Sequence, residues 1–175
     1  RLASGLGYKL VVFTKENIQR RLPLPFEWIY KRVLAGSDHV FVVSESCAEV
    51  LDARGYHGPT TVLPHGVDPT VFAPRPDLPR PREFPQSGAT VGYAGRLDAA
   101  KGVWDLLEAA QLAAQRGAPE FSLVLIGGGP LRSNVAKVAD RANARPPVRV
   151  IQYVPHLQMP AYLNALDVLV LPSRT

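Results

Sequence analysis

Residues 91–102, VGYAGRLDAAKG, decide how this chain is read. An apolar run of strand-like composition stops at Gly95, an arginine and a lysine follow five positions apart, and an amphipathic stretch begins at Gly102. A glycine closing a buried strand lets the backbone turn sharply and approach a ligand. Arg96 and Lys101 then place two cations beside the N–H groups of a helix start, where a phosphate is readily held. A nucleotide diphosphate suits that set. A surface turn with two solvated charges is the plainer alternative.

Outward from this stretch the same order of elements recurs. Residues 90–94 read as a strand and 102–115 as a helix with Val103, Leu106, Leu107 and Ala110 on its buried face. A strand at 123–126 leads to a helix over 131–143 with Leu131, Val135, Val138 and Ala142 inward. A strand at 148–154, a short helix at 158–165 and a strand at 168–171 follow. Four strands joined by three crossover helices predict a parallel, doubly wound sheet, whose ligands lie beyond the carboxyl ends of the strands. Those ends hold Gly95-Arg96, Gly127-Gly128-Gly129-Pro130, Val154-Pro155-His156 and Pro172-Ser173-Arg174. The triple glycine lacks the G-x-G-x-x-G spacing of a dinucleotide site. Its expected use is to bring bare backbone to a flat or phosphorylated ligand.

The first part of the chain alternates likewise. Strands are expected at 9–14 and 40–43, each buried, and a third at 60–63. Between the first two lies an amphipathic helix with Phe26, Ile29, Tyr30, Val33 and Leu34 on one face; after the second, Ser44 or Ser46 caps a helix that Gly55 ends. Prolines at 74, 76, 79, 81 and 85 make the next segment extended, semi-rigid and poor in core residues, which reads as a linker. The domains are therefore expected at 1–72 and 89–175, joined by 73–88.

The net charge of +5 favours anionic partners, but the basic residues are scattered, which excludes a general nucleic-acid surface. The single cysteine, Cys47, rules out an internal disulfide, fits a reducing compartment and sits at helical spacing with Val50 and Leu51 as a core residue. No apolar run approaches the ~18 residues that span a bilayer, and no signal peptide is seen. No His, Cys, Asp or Glu set has metal-ligand spacing. The chain begins at Arg1 and stops just after an apolar run, which reads as an excerpt of a longer protein.

The strings FVVSES, LPHGVDPTVF, VGYAGRLDAAKGVWDLLEA, LVLIGGGPLR and MPAYLNALDVLVLPSRT, in that order, resemble the retaining nucleotide-sugar glycosyltransferases of the GT-B fold, family four. The resemblance covers roughly the last three quarters of the chain. It implies two Rossmann-like, doubly wound parallel-sheet domains facing across a cleft, both incomplete here, with an acceptor side first and the donor-nucleotide side second. It implies Arg96 and Lys101 as the paired cations on the donor diphosphate, in a catalytic role. Gly95, Gly127 and Gly128 are implied beside the nucleotide, Val154 at the base, and Ser173 at the start of a loop toward two glutamates that lie beyond Thr175.

Two positions depart from the family pattern. Thr14 stands where relatives often have a histidine, leaving Thr14, Glu16 and Asn17 as acceptor-side candidates. Gln152 stands where they usually have glycine. The partners implied are a nucleotide sugar, as donor substrate with no further cofactor and no metal, and an acceptor that is a glycan, a lipid or a small molecule. A cytoplasmic location follows, with the inner membrane face open because Arg20, Arg21, Trp28, Tyr30, Lys31 and Arg32 mix basic and aromatic side chains. A core-facing helix with solvated charges explains that cluster more simply. His65 is expected as a hydrogen-bonding residue and not a catalyst. Without the glutamates the excerpt is expected to be inactive by itself. Other GT-B enzymes (a sugar-nucleotide epimerase, a sugar-phosphate synthase) and a non-catalytic nucleotide-binding module remain as alternatives.

Overall fold

The computed structural model describes residues 7–19, 21–140 and 145–174. The chain divides into two compact units, Arg1–Val67 and Asp68–Thr175.

In the first unit, strands β1 (Val11–Thr14), β2 (His39–Val42) and β3 (Thr60–Val62) form a parallel sheet in the order β1-β2-β3. Helix α1 (Phe26–Ala35) links β1 to β2, and α2 (Glu45–Ala53) links β2 to β3. Leu34 of α1 and Cys47 and Leu51 of α2 pack with Val40 and Val42 on one face of the sheet. Cys47 is thus a core residue, as its spacing suggested; the Ser44 hydroxyl donates to its Sγ at 3.3 Å instead of capping α2. The expectation that β1 is buried fails. Its alternate residues Val11 and Phe13 lie on the other face, where Phe13 is 54% exposed. The face assigned to α1 fails in part: Leu34 is buried and Tyr30 half-buried, while Phe26, Ile29 and Val33 are exposed.

In the second unit, β4 (Ala89–Ala94), β5 (Phe121–Ile126), β6 (Val148–Ile151) and β7 (Val168–Leu169) are all parallel, in the order β6-β5-β4-β7. Helices α3 (Val103–Gln115) and α4 (Arg132–Ala139) cover one face, packing Leu106, Leu107 and Val135 on Tyr93, Leu123 and Leu125. Helix α5 (Met159–Asn164) lies on the other, over Val124, Ile126 and Ile151. Because the chain leaves β6 at one edge and re-enters at the opposite edge as β7, the winding reverses between β4 and β7. A crevice forms at such a reversal. The end of the helix expected over 131–143 lies outside the described residues, and β6 ends three residues earlier than the expected strand.

The proline-rich segment is folded onto this second unit. Phe84 is 1% exposed and inserts among Val124, Ile126 and Ile151. Arg80 donates to the Pro85 carbonyl at 2.8 Å and to the buried Thr90 hydroxyl at 2.7 Å. Asn164 accepts from the Arg75 N–H and donates to the Ala73 carbonyl. Proline frequency spoke for a stretch poor in core residues; one aromatic side chain and a few hydrogen bonds at non-proline positions bind it to the sheet instead.

Candidate functional site

The turn from β4 into α3 is built around Tyr93. Its ring is fully buried and its hydroxyl donates to the Arg96 carbonyl at 2.7 Å, while desolvation, then the Asp98 carboxylate, push the phenol above its ordinary pKa. A Cβ at Gly95 would meet that hydroxyl at 2.8 Å, so the tyrosine leaves space only for glycine. Arg96 is solvent-facing and pairs through Nε with Asp98 Oδ2 at 3.0 Å. Leu97 turns inward and is buried. The other Asp98 oxygen accepts the Lys101 N–H at 3.1 Å, opening a single 3₁₀ turn, Ala99–Lys101. Gly102 then takes a left-handed φ of 65°, and any Cβ there would strike the Pro172 carbonyl oxygen. Only glycine admits both the angle and the contact.

The turn after β5 leans on the first. Gly95 N–H donates to the Ile126 carbonyl, Leu97 N–H to the Gly128 carbonyl, and Leu131 N–H to the Leu97 carbonyl, at 2.9, 2.8 and 3.0 Å. A Cβ on Gly127, whose φ is 141°, would run into the Gly95 carbonyl oxygen, whereas one on Gly128 would meet nothing within 4 Å. The glycines therefore divide their work. Gly127 lets two turns of this unit approach each other, and Gly128 faces open space.

The loop after β7 closes the third side. Arg174 grips Asp105 of α3 with two hydrogen bonds, Nε to Oδ2 at 2.7 Å and NH2 to Oδ1, and its N–H donates to the Ala100 carbonyl. Those bonds hold the Asp105 carboxyl below its usual range and raise Arg174. Exposed Ser173 is thereby set beside the turn that carries Lys101. After β6, the side chain of Val154 is buried in one core cluster with Phe84, and Gln152 is exposed. Arg96, Lys101, Gly95, Gly127, Gly128 and Ser173 thus gather at the carboxyl end of β4, β5 and β7.

In the first unit, Thr14 and Glu16 are half-buried and Asn17 is exposed. Thr14 Oγ1 accepts the Glu16 N–H at 3.3 Å, and the Glu16 carboxylate pairs with Arg54 at 2.8 Å. The Arg54 side chain, 3% exposed, also pairs with Glu27 at 3.2 Å and lies 4.9 Å from the Tyr30 ring centre. Glu27 in turn accepts the Leu22 N–H, which, with Arg54 and Lys31, holds its pKa down against desolvation. Glu16 thus has a structural partner, and Arg54 fixes the loop after β1. His65 stacks obliquely at 6.4 Å from the Phe13 ring, a packing contact.

Sequence reading missed Tyr93, Asp98, Asp105 and Arg54, and placed Arg174 at a strand end without finding its partner Asp105. Asp98 had a signal, an aspartate three residues before Lys101 at a helix start. Arg54 and Arg174 had none, because their partners are distant in sequence. Of the mixed basic and aromatic cluster, Arg20 lies outside the described residues, Tyr30 lies under Arg54, and Trp28 and Lys31 are exposed. Among the described residues no helix is long and apolar enough to cross a membrane, and no three His, Cys, Asp or Glu residues form a group fit for a metal ion. A cavity lined by Ser87, Glu120, Phe121 and Arg145 opens at the opposite, amino-terminal end of the second sheet.

The profile of the family described as Glycosyl transferases group 1 matches residues 74–175, and that of Glycosyltransferase Family 4 matches 2–71. The chain belongs to the glycosyl transferases group 1 family. Among the relatives of this chain, the 2-deoxystreptamine glucosyltransferase of Streptomyces kanamyceticus is 29% identical over 91% of the chain and 42% of its own length. The GDP-mannose-dependent alpha-(1-6)-phosphatidylinositol monomannoside mannosyltransferase of Mycolicibacterium smegmatis is 33% identical over 67% of the chain and 32% of its own. Anabaena HepE in complex with UDP and glucose superposes with a TM-score of 0.72 at 15% identity, over 99% of the chain and 48% of HepE. Sucrose-phosphate synthase from Thermosynechococcus elongatus gives 0.68 at 23%, over 95% and 45%. The chain has the α/β GT-B fold and spans less than half the length of these relatives.

Proposed function

We propose that the second unit holds the nucleotide diphosphate of a sugar donor, and that the protein transfers the sugar to an acceptor with retention at the anomeric carbon. One observation carries this: Arg96 and Lys101 stand together at the turn after β4, beside the reversal of the sheet and the loop after β7. As the sugar–phosphate bond breaks, negative charge grows on the leaving diphosphate. Two cations at a helix start stabilise that charge more than the charge of the intact donor, which is how such a site speeds the step. Gly128 offers backbone without a side chain in the way. Retention rests on the family-four motifs. HepE was crystallised with UDP, and the mannosyltransferase is GDP-mannose-dependent, so both bases belong in the test.

The acceptor, a glycan, lipid or small molecule, is assigned to the first unit, with Thr14 and Asn17 as its nearest candidates. Titration of the complete gene product should show UDP or GDP binding at least tenfold more tightly than the matching monophosphate. Proton NMR of the sugar product should show the donor's anomeric configuration. Equal binding of mono- and diphosphate, or an inverted product, contradicts the reading.

A further inference from the structure

Arg96 is held from two sides by groups that the diphosphate reading leaves unused. Its backbone is fixed by the Tyr93 hydroxyl, which donates to the Arg96 carbonyl at 2.7 Å from a ring only 1% exposed. That ring belongs to one buried core cluster with Leu97, Leu106 and Leu123, so the hydroxyl cannot shift without moving the core. The same carbonyl also accepts the Asp98 N–H at 3.1 Å, so it keeps a partner when the hydroxyl is removed.

The side chain pairs with Asp98, whose Oδ2 lies 3.0 Å from Nε as an ion pair while its Oδ1 accepts the Lys101 N–H. A guanidinium held through Nε still presents its terminal amino groups, the edge that meets two phosphate oxygens side by side. Arg96, with its side chain 70% exposed, would otherwise spread over many rotamers and lose that freedom on binding.

We propose that Tyr93 and Asp98 are positioning residues that present Arg96 to the diphosphate of a nucleotide sugar, an inference that rests on the reading of Arg96 given above. The carboxylate of Asp98 also repels a bound diphosphate. Its charge is engaged by Arg96 and by the Lys101 N–H, so positioning outweighs repulsion. The two effects predict opposite changes in affinity, which makes the sign of one substitution decisive.

The test is calorimetric titration of the complete gene product with UDP, GDP, ADP, CDP and dTDP, carrying forward the tightest binder. Tyr93→Phe keeps the ring in the core, and Asp98→Asn keeps an oxygen for the Lys101 N–H. Each should weaken binding about two- to fivefold, the scale of one hydrogen bond for Tyr93 and of one largely exposed ion pair for Asp98. Each should have no further effect in the Arg96→Ala background, because a residue that acts through Arg96 has nothing left to position. If Arg96→Ala weakens binding but the single variants do not, if Asp98→Asn tightens it, or if the losses simply add to that of Arg96→Ala, the inference fails and the diphosphate reading stands. If Arg96→Ala binds as the wild type does, or the wild type binds none of the five, both fail.

Discussion

The two parallel sheets secure the loops at their carboxyl ends by different means. In the second unit the turns after β4, β5 and β7 are joined through the backbone: Leu97 to Gly128, Leu131 to Leu97, Arg174 to Ala100, and Gly102 against Pro172. In the first unit the loop after β1 is tied by side chains, with Glu16 and Glu27 converging on buried Arg54. Backbone has little freedom to rearrange, so the first kind of site is rigid before any ligand arrives. A loop held by ion pairs is rebuilt by changing a few side chains.

The comparison breaks most visibly at the glycines. Gly127→Ala forces a Cβ into the Gly95 carbonyl and should cost about 3 kcal/mol, the scale of a steric conflict at a constrained backbone. Gly128→Ala, one residue on, meets open space and should stay within about 0.5 kcal/mol, as surface changes do. Chemical denaturation of both variants checks this. Similar losses at the two positions would remove the division of roles between them.

A smaller effect is expected in the first unit. Arg54→Met should cost about 2 kcal/mol, less than the full loss of a buried ion pair because Glu16 and Glu27 remain partly hydrated. The two tryptophans separate the units, Trp28 lying in the first and Trp104 in the second. Trp28 fluorescence should therefore shift to lower denaturant while Trp104 keeps its midpoint. A shared shift would mean that the two regions unfold as one.

The strand ends of the second unit were legible in the sequence, and for the same reason they are rigid. A geometry made of backbone admits glycine and little else at Gly102 and Gly127, so composition records it. Apolar runs at β4 and β5 likewise gave the doubly wound sheet, because strands buried on both faces cannot alternate. Part of what was missed depends on pairs far apart in the chain, such as Arg54 with Glu16 or Arg174 with Asp105, whereas Tyr93 and Asp98 act on partners three residues away. Phe84 was hidden among prolines, since one buried aromatic leaves no period to detect. The open face of β1 was misread because KLVVFT has the composition of a buried strand, and burial depends on what packs over it.

The smallest expected effect is on pH dependence. Glu27 has its folded pKa below the ordinary value of about 4.3, so its contribution to stability is complete above that pH and is lost as pH falls through the folded value. Acidification from pH 5 to 3 should therefore lower the midpoint seen by Trp28, and Glu27→Gln should flatten that part of the curve. An unchanged slope in this variant would assign the acid sensitivity elsewhere in the unit.

The central claim is that Arg96 and Lys101 meet the diphosphate of the donor. Its most direct test is the release of nucleoside diphosphate from UDP- and GDP-sugars by the complete gene product bearing Arg96→Ala or Lys101→Ala. Loss of one fixed donor costs about 2.7–4 kcal/mol in the transition state, and each 1.36 kcal/mol is about tenfold. Each variant should therefore slow release by roughly a hundredfold or more while melting as the wild type does, and Arg96→Lys should recover only part of the loss because the planar fork is gone. Folded alanine variants that release diphosphate at near wild-type rates would contradict the account.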